Sequence, residues 1–319
     1  MAITSGFKGL AYIDYSEYTD VDSEVESSTV SVPIRCTDFG VNLEQDVKFY
    51  EHTIGLRDTI PTNGAQTKGE QTDPVDVNYQ KYFFRPGVKI IRGSMGFPAT
   101  IENLETVFYL AKTGQNFKLT FYYDCNIKRE YTKCKINSFT FNATAGDIIT
   151  VTLDIIGRFI TESYNKHTDY TVIQKLITWD VVKPTIILNV LNSSGTVVHT
   201  TLTDPIKTME FTVNNNCIPI YTSGGNSKNS LFPLDIRVGM QEVTGSLSYY
   251  IKGTGINALS PNATTSTIKI YMEDPDALPD PFVFDHTLNV ILKPIQRSGA
   301  IGAVISTLAF VGIDHALGA

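Results

Sequence analysis

The stretch RPGVKIIRGSMGF (Arg85–Phe97) returns in the second half of the chain as RVGMQEVTGSLSY (Arg237–Tyr249). Arg85 and Arg237, Gly87 and Gly239, Gly93 and Gly245, Ser94 and Ser246, and a closing aromatic recur in step. Two more blocks repeat in the same order. IRCTDFGVN (Ile34–Asn42) matches IKTMEFTVN (Ile206–Asn214), and AGDIITVTLDIIG (Ala145–Gly157) matches AIGAVISTLAFVG (Ala300–Gly312). The offsets are 172, 152 and 155 residues, so the first half holds an insertion between its first two blocks. The extra residues fall in Ile54–Lys81, a segment rich in Gly, Thr, Asn, Gln and Asp that reads as a long exposed loop. Ordered self-similarity of this kind marks repeated structural units. The chain therefore reads as two copies of one domain, 1–160 and 181–319, joined by 161–180.

Outward from these blocks, most periodic stretches alternate. SVPIRCTDFGV, FKLTFYYDC, SFTFNAT, IITVTLDII, TIILNVL, MEFTVNN, EVTGSLSYYI and STIKIYM are rich in β-branched and aromatic residues, with turn residues between them. LNSSGTVVHT reads as a hairpin turning near Asn192–Gly195. One segment differs. Thr100 is placed to cap a helix over Ile101–Lys112, with Glu102 and Glu105 early in it and Gly114 just past its end. Ile101, Leu104, Phe108 and Ala111 then share one face. The matching second-half stretch, IKGTGINALSPNA, is poor helix material, so its helix should be shorter or missing. The fold class is mainly β.

Composition bounds the function. The chain has 319 residues, 42% hydrophobic and 18% charged, which is globular and able to bury a core. A net charge of −7 argues against tight binding of nucleic-acid phosphates. Cys36, Cys125, Cys134 and Cys217 form no CxxC pair and no disulfide framework. Cys125 and Cys134 flank a short stretch and face each other if it is a hairpin; they are either two thiols or a bond. The N-terminus lacks a basic and apolar leader, and the apolar Gly299–Ile313 is too short and glycine-rich to cross a bilayer. A protein made in the cytoplasm, without membrane insertion, is expected.

Catalytic chemistry finds no foothold. His52, His167, His199, His286 and His315 are scattered, with no metal-ligand spacing. Ser94 resembles a nucleophile turn without meeting GxSxG, and its recurrence as Ser246 points to a structural serine. DPDALPDP (Asp274–Pro281) lacks the calcium-loop pattern. In DVDSEVES the carboxylates of Asp20, Asp22, Glu24 and Glu26 fall at every second position. In extended backbone they project from one face, either as a solvated edge or as an acidic lining facing a polyanion. Neither catalytic, cofactor nor metal residues are assigned.

The block LFPLDIRVGMQEVTGSLSYYIKG (Leu231–Gly253) resembles the tail tube proteins of long-tailed bacteriophages, as do EFTVNNN (Glu210–Asn216) and ISTLAFVG (Ile305–Gly312). The first half is similar to the same template more weakly, through Phe39–Asn42, Arg85–Met95 and Ile148–Gly157. The resemblance implies two tandem β-sandwich or half-barrel domains, each with at most one flanking helix. It also implies a non-enzymatic virion protein whose sheets join into rings that stack as a DNA-conducting tube. A duplicated chain fills two of six positions, giving a pseudo-hexameric trimer. The implied partners are the chain itself, other tail proteins (sheath, terminator, baseplate or tape measure) and DNA in passage. The loop 54–81 would bridge to the next ring. A baseplate hub or tail-tip ring is the alternative role, and a carbohydrate-binding β-sandwich a more distant one.

Overall fold

A computed structural model describes residues 9–18, 26–53, 80–123, 127–164, 176–178, 185–191, 194, 196–201, 205–222, 231–250, 265–273, 283–293, 296–300 and 303–312. The first half contains β1 (Gly9–Tyr18), β2 (Glu26–Cys36), β3 (Asp38–Phe39), β4 (Asn42–Thr53), β5 (Gln80–Pro98), α1 (Ile101–Thr113), β6 (Phe117–Tyr123), β7 (Ile127–Thr144), β8 (Thr150–Gly157) and β9 (Phe159–Tyr164). The second contains β10 (Thr185–Leu191), β11 (Val197–Thr201), β12 (Ile206–Asn214), β13 (Ile218–Ile220), β14 (Asp235–Arg237), β15 (Glu242–Tyr250), β16 (Thr265–Glu273), β17 (Val283–Leu292), β18 (Gln296–Ala300) and β19 (Ala303–Gly312). The fold is mainly β, as the alternation predicts.

Among the described residues all strand pairings are antiparallel. In the first half one sheet runs β2–β1–β6–β7–β9. The other runs from β3 and β4 through β5 and β8 to β7. β7 serves both sheets. It crosses near Lys133, whose φ of +52° accompanies a register slip against β6 between Phe117 and Leu119. Bulged backbone of this kind lets one strand turn a sandwich corner. In the second half the sheets run β11–β10–β16–β17 and β12–β15–β19–β18, with Val290–Leu292 of β17 also reaching β19. β17 and β18 together follow the course of β7. The sequence carries Pro294 between them, a residue with no N–H to give a ladder.

The register recurs with the order. Gly93 lies opposite Ile155 and Met95 opposite Leu153, as Gly245 lies opposite Phe310 and Leu247 opposite Leu308. β7 also pairs with β12 over Ser138–Thr144 and Thr208–Asn214. The two four-strand sheets thereby become one, with β3 and β4 sharing its first position and β5, β8, β7, β12, β15, β19 and β18 following.

One face of this sheet is apolar. Met95, Leu153, Phe139, Val213 and Val243 form one buried row, and Phe97, Val151, Phe141, Phe211 and Phe310 another. Helix α1 lies against it. Ile101, Leu104, Phe108 and Ala111 are all buried, and Phe108 meets Phe139, Phe211 and Phe284 edge-on, so the helix spans both halves. Thr100 caps the helix and Gly114 closes it at φ +63°, but Asn103, not a glutamate, completes the capping box.

The structure refines other expectations. β10 and β11 pair antiparallel with Leu191 opposite Val197, on either side of the expected turn, of which residues 192, 193 and 195 lie outside the described residues. Part of 161–180 is woven into the first half: residues 161–164 belong to β9, and Ile177 is buried, donating to Ala99 O and accepting from Ile149 N (3.0 Å each). The insertion sits between β4 and β5, whose pairing continues to Thr53 and Gln80; residues 54–79 lie outside the described residues. So do 251–264, where the weak second-half helix was expected, and Asp274–Pro281.

Candidate functional site

The opposite face of the eight-position sheet is polar across β8, β7, β12 and β15; Ala309 and Val311 of β19 are apolar on it, and Ile90 and Ile156 are covered there by Ile236 of β14. Alternation dictates this: every residue between two core residues points away from the core. Thr152, Thr140, Thr212 and Thr244 lie side by side across four strands. Beside them run Ser94, Asp154, Ser138, Asn214 and Glu242, and on the other side Thr150, Asn142, Glu210 and Ser246. Hydroxyls bond across the strands, Thr140 Oγ1 to Thr212 Oγ1 at 3.0 Å and Ser248 Oγ to Thr307 Oγ1 at 3.1 Å. The charged members of the face include Asp38, Glu44, Asp154, Glu210 and Glu242 on the acidic side and Arg92 and Lys293 on the basic side. The central part of the face is a hydroxyl-rich wall that carries more carboxylates than cations.

Asp154, Glu210 and Glu242 carry no motif that marks them as one surface, although the alternation in TVTLDII, EFTVN and EVTGS places each at an outward position. Asp20, Asp22 and Glu24 fall outside the described residues, and Glu26 opens β2 in the other sheet, opposite Tyr18.

The repeat-defining residues are held by backbone packing. Gly93, at φ +151°, passes so close to Gly40 O and Val41 Cα that a Cβ would overlap both. A Cβ on Gly245 would strike the Phe310 ring and come within 2.6 Å of Glu210 O. Ser94 and Ser246 follow these glycines on the polar face. Gly239 donates to Asn215 O at 2.9 Å, and a Cβ there would stand 2.5 Å from Asn216 O. Gly87 is buried in β5, two residues after Arg85, which lies opposite Lys48; Arg237 is exposed in β14, 3.7 Å from Asp235. The two copies of the motif thus share glycine positions but spend them on different close contacts.

Reactive groups are quenched by their surroundings. Cys134 and Cys36 are buried free thiols, and burial pushes Cys134 up to about 12 and Cys36 higher. Cys125 lies outside the described residues. Cys217, also free, lines a cleft of about 180 Å³ with Arg92, Asn137, Asp154, Ile155 and Ile156. Burial pushes it up to about 11, so it holds no thiolate near neutrality, and the nearby Asp154 accepts from Asn137 Nδ2 at 2.8 Å. His286 Nε2 lies 2.8 Å from Glu105 Oε2 and its ring packs on Phe108 and Phe284, tying β17 to the helix. Among the described residues no group of His, Cys, Asp and Glu has the arrangement to hold a metal.

No curated protein matches the chain. The family described as phage tail tube protein does, over residues 60–312 and so across both halves. With most of its length matched and a mainly β architecture to go with it, the chain belongs to the phage tail tube protein family, a structural component of the virion tail.

Proposed function

We propose that three copies of the chain close into a ring, that rings stack into a hollow tube, and that the polar sheet face lines a bore through which DNA passes. The observation that carries this reading is the eight-position sheet. It consists of two units of like pairing placed side by side, and neither of its outer edges, β3–β4 and β18, has a further strand partner among the described residues. Open edges invite addition, and closure removes them. A unit that has added to its like once, through β7 and β12, supports repeated addition until the sheet meets itself. Six units, or three chains, make a pseudo-hexameric ring with every edge paired.

The reading takes the chain as two copies of one domain, 1–160 and 181–319 with 161–180 between them, supported by the recurring pairings and registers. It asks for no catalytic step, cofactor or membrane. Its acidic lining is Asp154, Glu210 and Glu242 with their neighbours. Glu26, which opens β2 in the other sheet, is assigned to the outer layer, while the lumen-facing expectation for Asp20, Asp22 and Glu24 falls outside the described residues. Assembly takes place in the host cytoplasm, the 54–81 segment reaches the next ring, and sheath, terminator, baseplate or tape-measure proteins meet the tube's outside, ends or bore.

Electron microscopy of the purified protein, concentrated at moderate salt and negatively stained, tests this. Hollow rods with threefold averages are expected. Monomers at every concentration would overturn the reading, and rings that never stack would favour a tail-tip hub.

A further inference from the structure

Resting on the ring reading above, we propose the junction between copies: β18 of one chain adds antiparallel to β3 and the start of β4 of a second copy, with Gln296 opposite Asn42. The chain contains its own template. At the β7·β12 junction Thr140 lies opposite Thr212, their hydroxyls 3.0 Å apart, and Phe141 stacks on Phe211 at 5.0 Å between centroids. The common register of β5–β8 and β15–β19 carries that geometry to the outer edges. Thr152 and Thr307 are equivalent in that register. Thr140 lies opposite Thr152 and Gln296 opposite Thr307, so Gln296 holds the place of Thr140. Arg92 and Thr244 are likewise equivalent. Asn42 lies opposite Arg92 and Thr212 opposite Thr244, so Asn42 holds the place of Thr212. Bringing the two edges together by the internal rule therefore sets Gln296 against Asn42.

The side chains agree with this placement. Gln296 and Asn42 are both exposed amides on the polar side, able to bond as the two threonines do. Leu43 is 39% exposed, whereas Val213, the residue in its place at the internal junction, is 0% exposed. An apolar side chain waits at the edge where its counterpart is covered. The sequence repeat aligns Asn42 with Asn214, two residues from the sheet register, and an even slip leaves inward and outward sides unchanged. The occupant is a second copy because β18 and β3–β4 stand in the places that β7 and β12 hold at the chain's own internal junction.

The test is a mixture of two single variants, Asn42→Cys and Gln296→Cys, assembled together and mildly oxidised. Directly opposed strand residues lie within the roughly 4.4–6.8 Å Cα range that a disulfide spans. The expected result is a covalent dimer in the mixture and in neither variant alone, with the double variant giving a ladder that ends at trimer. Gly40→Cys and Glu44→Cys, each two residues off register, should cross-link to Gln296→Cys at least fivefold less; preference for either overturns the register. Rings that assemble without the cross-link, or a bond confined to single chains, overturn the junction and leave the ring reading standing. Failure of the unsubstituted protein to form rings overturns that reading and the junction with it. A second pair guards against local damage. Asn42→Lys with Gln296→Lys should raise the assembly concentration at least tenfold, and Asn42→Asp with Gln296→Lys should restore it; equal assembly of both pairs overturns the proposal.

Discussion

Gly93 and Gly245 occupy the same place in the repeated motif, yet each meets a different obstacle. At Gly93 the obstacle is backbone, Gly40 O and Val41 Cα, which does not move without breaking β3 away from β5. At Gly245 it is partly the Phe310 ring, which has some freedom, and partly Glu210 O. Gly96 is the control, since the nearest atoms to a Cβ there are Thr37 Oγ1 at 3.6 Å and Asp38 Cβ at 3.7 Å. Thermal unfolding should therefore rank Gly93→Ala as the most damaging, by about 3 kcal/mol or more, Gly245→Ala next, and Gly96→Ala within about 1 kcal/mol of the parent. A Gly93→Ala chain as stable as Gly96→Ala would refute the close-approach account. The buried thiols give a second residue-level expectation. Burial raises the folded pKa of Cys134 from 9.0 to about 12, so the thiol's contribution is complete below pH 9 and is lost as pH rises toward 12. The fall in unfolding midpoint between pH 9 and 11 should be shallower in Cys134→Ala than in the parent, and an identical slope would mean that Cys134 is not held protonated.

Among the elements, α1 shows best what a sequence displays and what it conceals. Its bounds and inward face are legible because a 3.6-residue period, a capping threonine and a closing glycine are all local. Its far end is not. Asn215, fully buried, donates to Ala111 O at 2.8 Å and Ile136 O at 2.9 Å, and Gln241 Nε2 reaches Asn215 Oδ1 at 2.8 Å and Ala111 O at 3.2 Å. Second-half amides thus satisfy a last-turn carbonyl of a first-half helix, a partnership with no local signature in the sequence. Thr100→Ala should lower stability by about 1 kcal/mol through the lost cap. Asn215→Ala, which strands buried carbonyls, should lose about 2–4 kcal/mol. Hydrogen exchange should show the difference in kind: Asn215→Ala loosens the C-terminal turn and β12 together, Thr100→Ala only the first turn. Equal, local effects would mean that Asn215 does not couple the halves. The strands divide the same way. Their alternation could be read, but not the passage of β7 from one sheet to the other at Lys133, a residue with no glycine to announce its positive φ.

At the scale of the molecule, the three repeated blocks were visible because each carries a glycine or aromatic that the strand pairing needs, whereas the place of the acidic surface was not. Alternation says that Asp20 to Glu26 share a face if extended, and that Asp154, Glu210 and Glu242 each point away from the apolar side of their own strands; only the pairing of β8, β7, β12 and β15 puts the latter three on one wall. The bore reading makes that wall's charge a working quantity. Glu210 is exposed on β12 and Glu242 on β15, both away from the core, so lysine at either place leaves the packing untouched. In a three-chain ring Glu210→Lys with Glu242→Lys adds six cations facing the bore and removes six carboxylates. Each phosphate so neutralised releases counterions, with log K falling by about 0.7–0.9 per contact for each decade of salt. Tubes of the parent protein should leave DNA free at 150 mM salt, whereas tubes of the double variant should retain single- or double-stranded fragments at low salt and release them steeply as salt rises, read by co-sedimentation. The same lysines at Asp285 and Glu162, exposed carboxylates on β17 and β9 outside the wall, should produce outer-surface binding only, which a DNA end-labelled with a bulky particle distinguishes because it cannot enter the bore. If the wall lysines and the outer lysines bind such blocked DNA equally well, the polar face does not line a channel, and the sheet must present it to the tube's exterior.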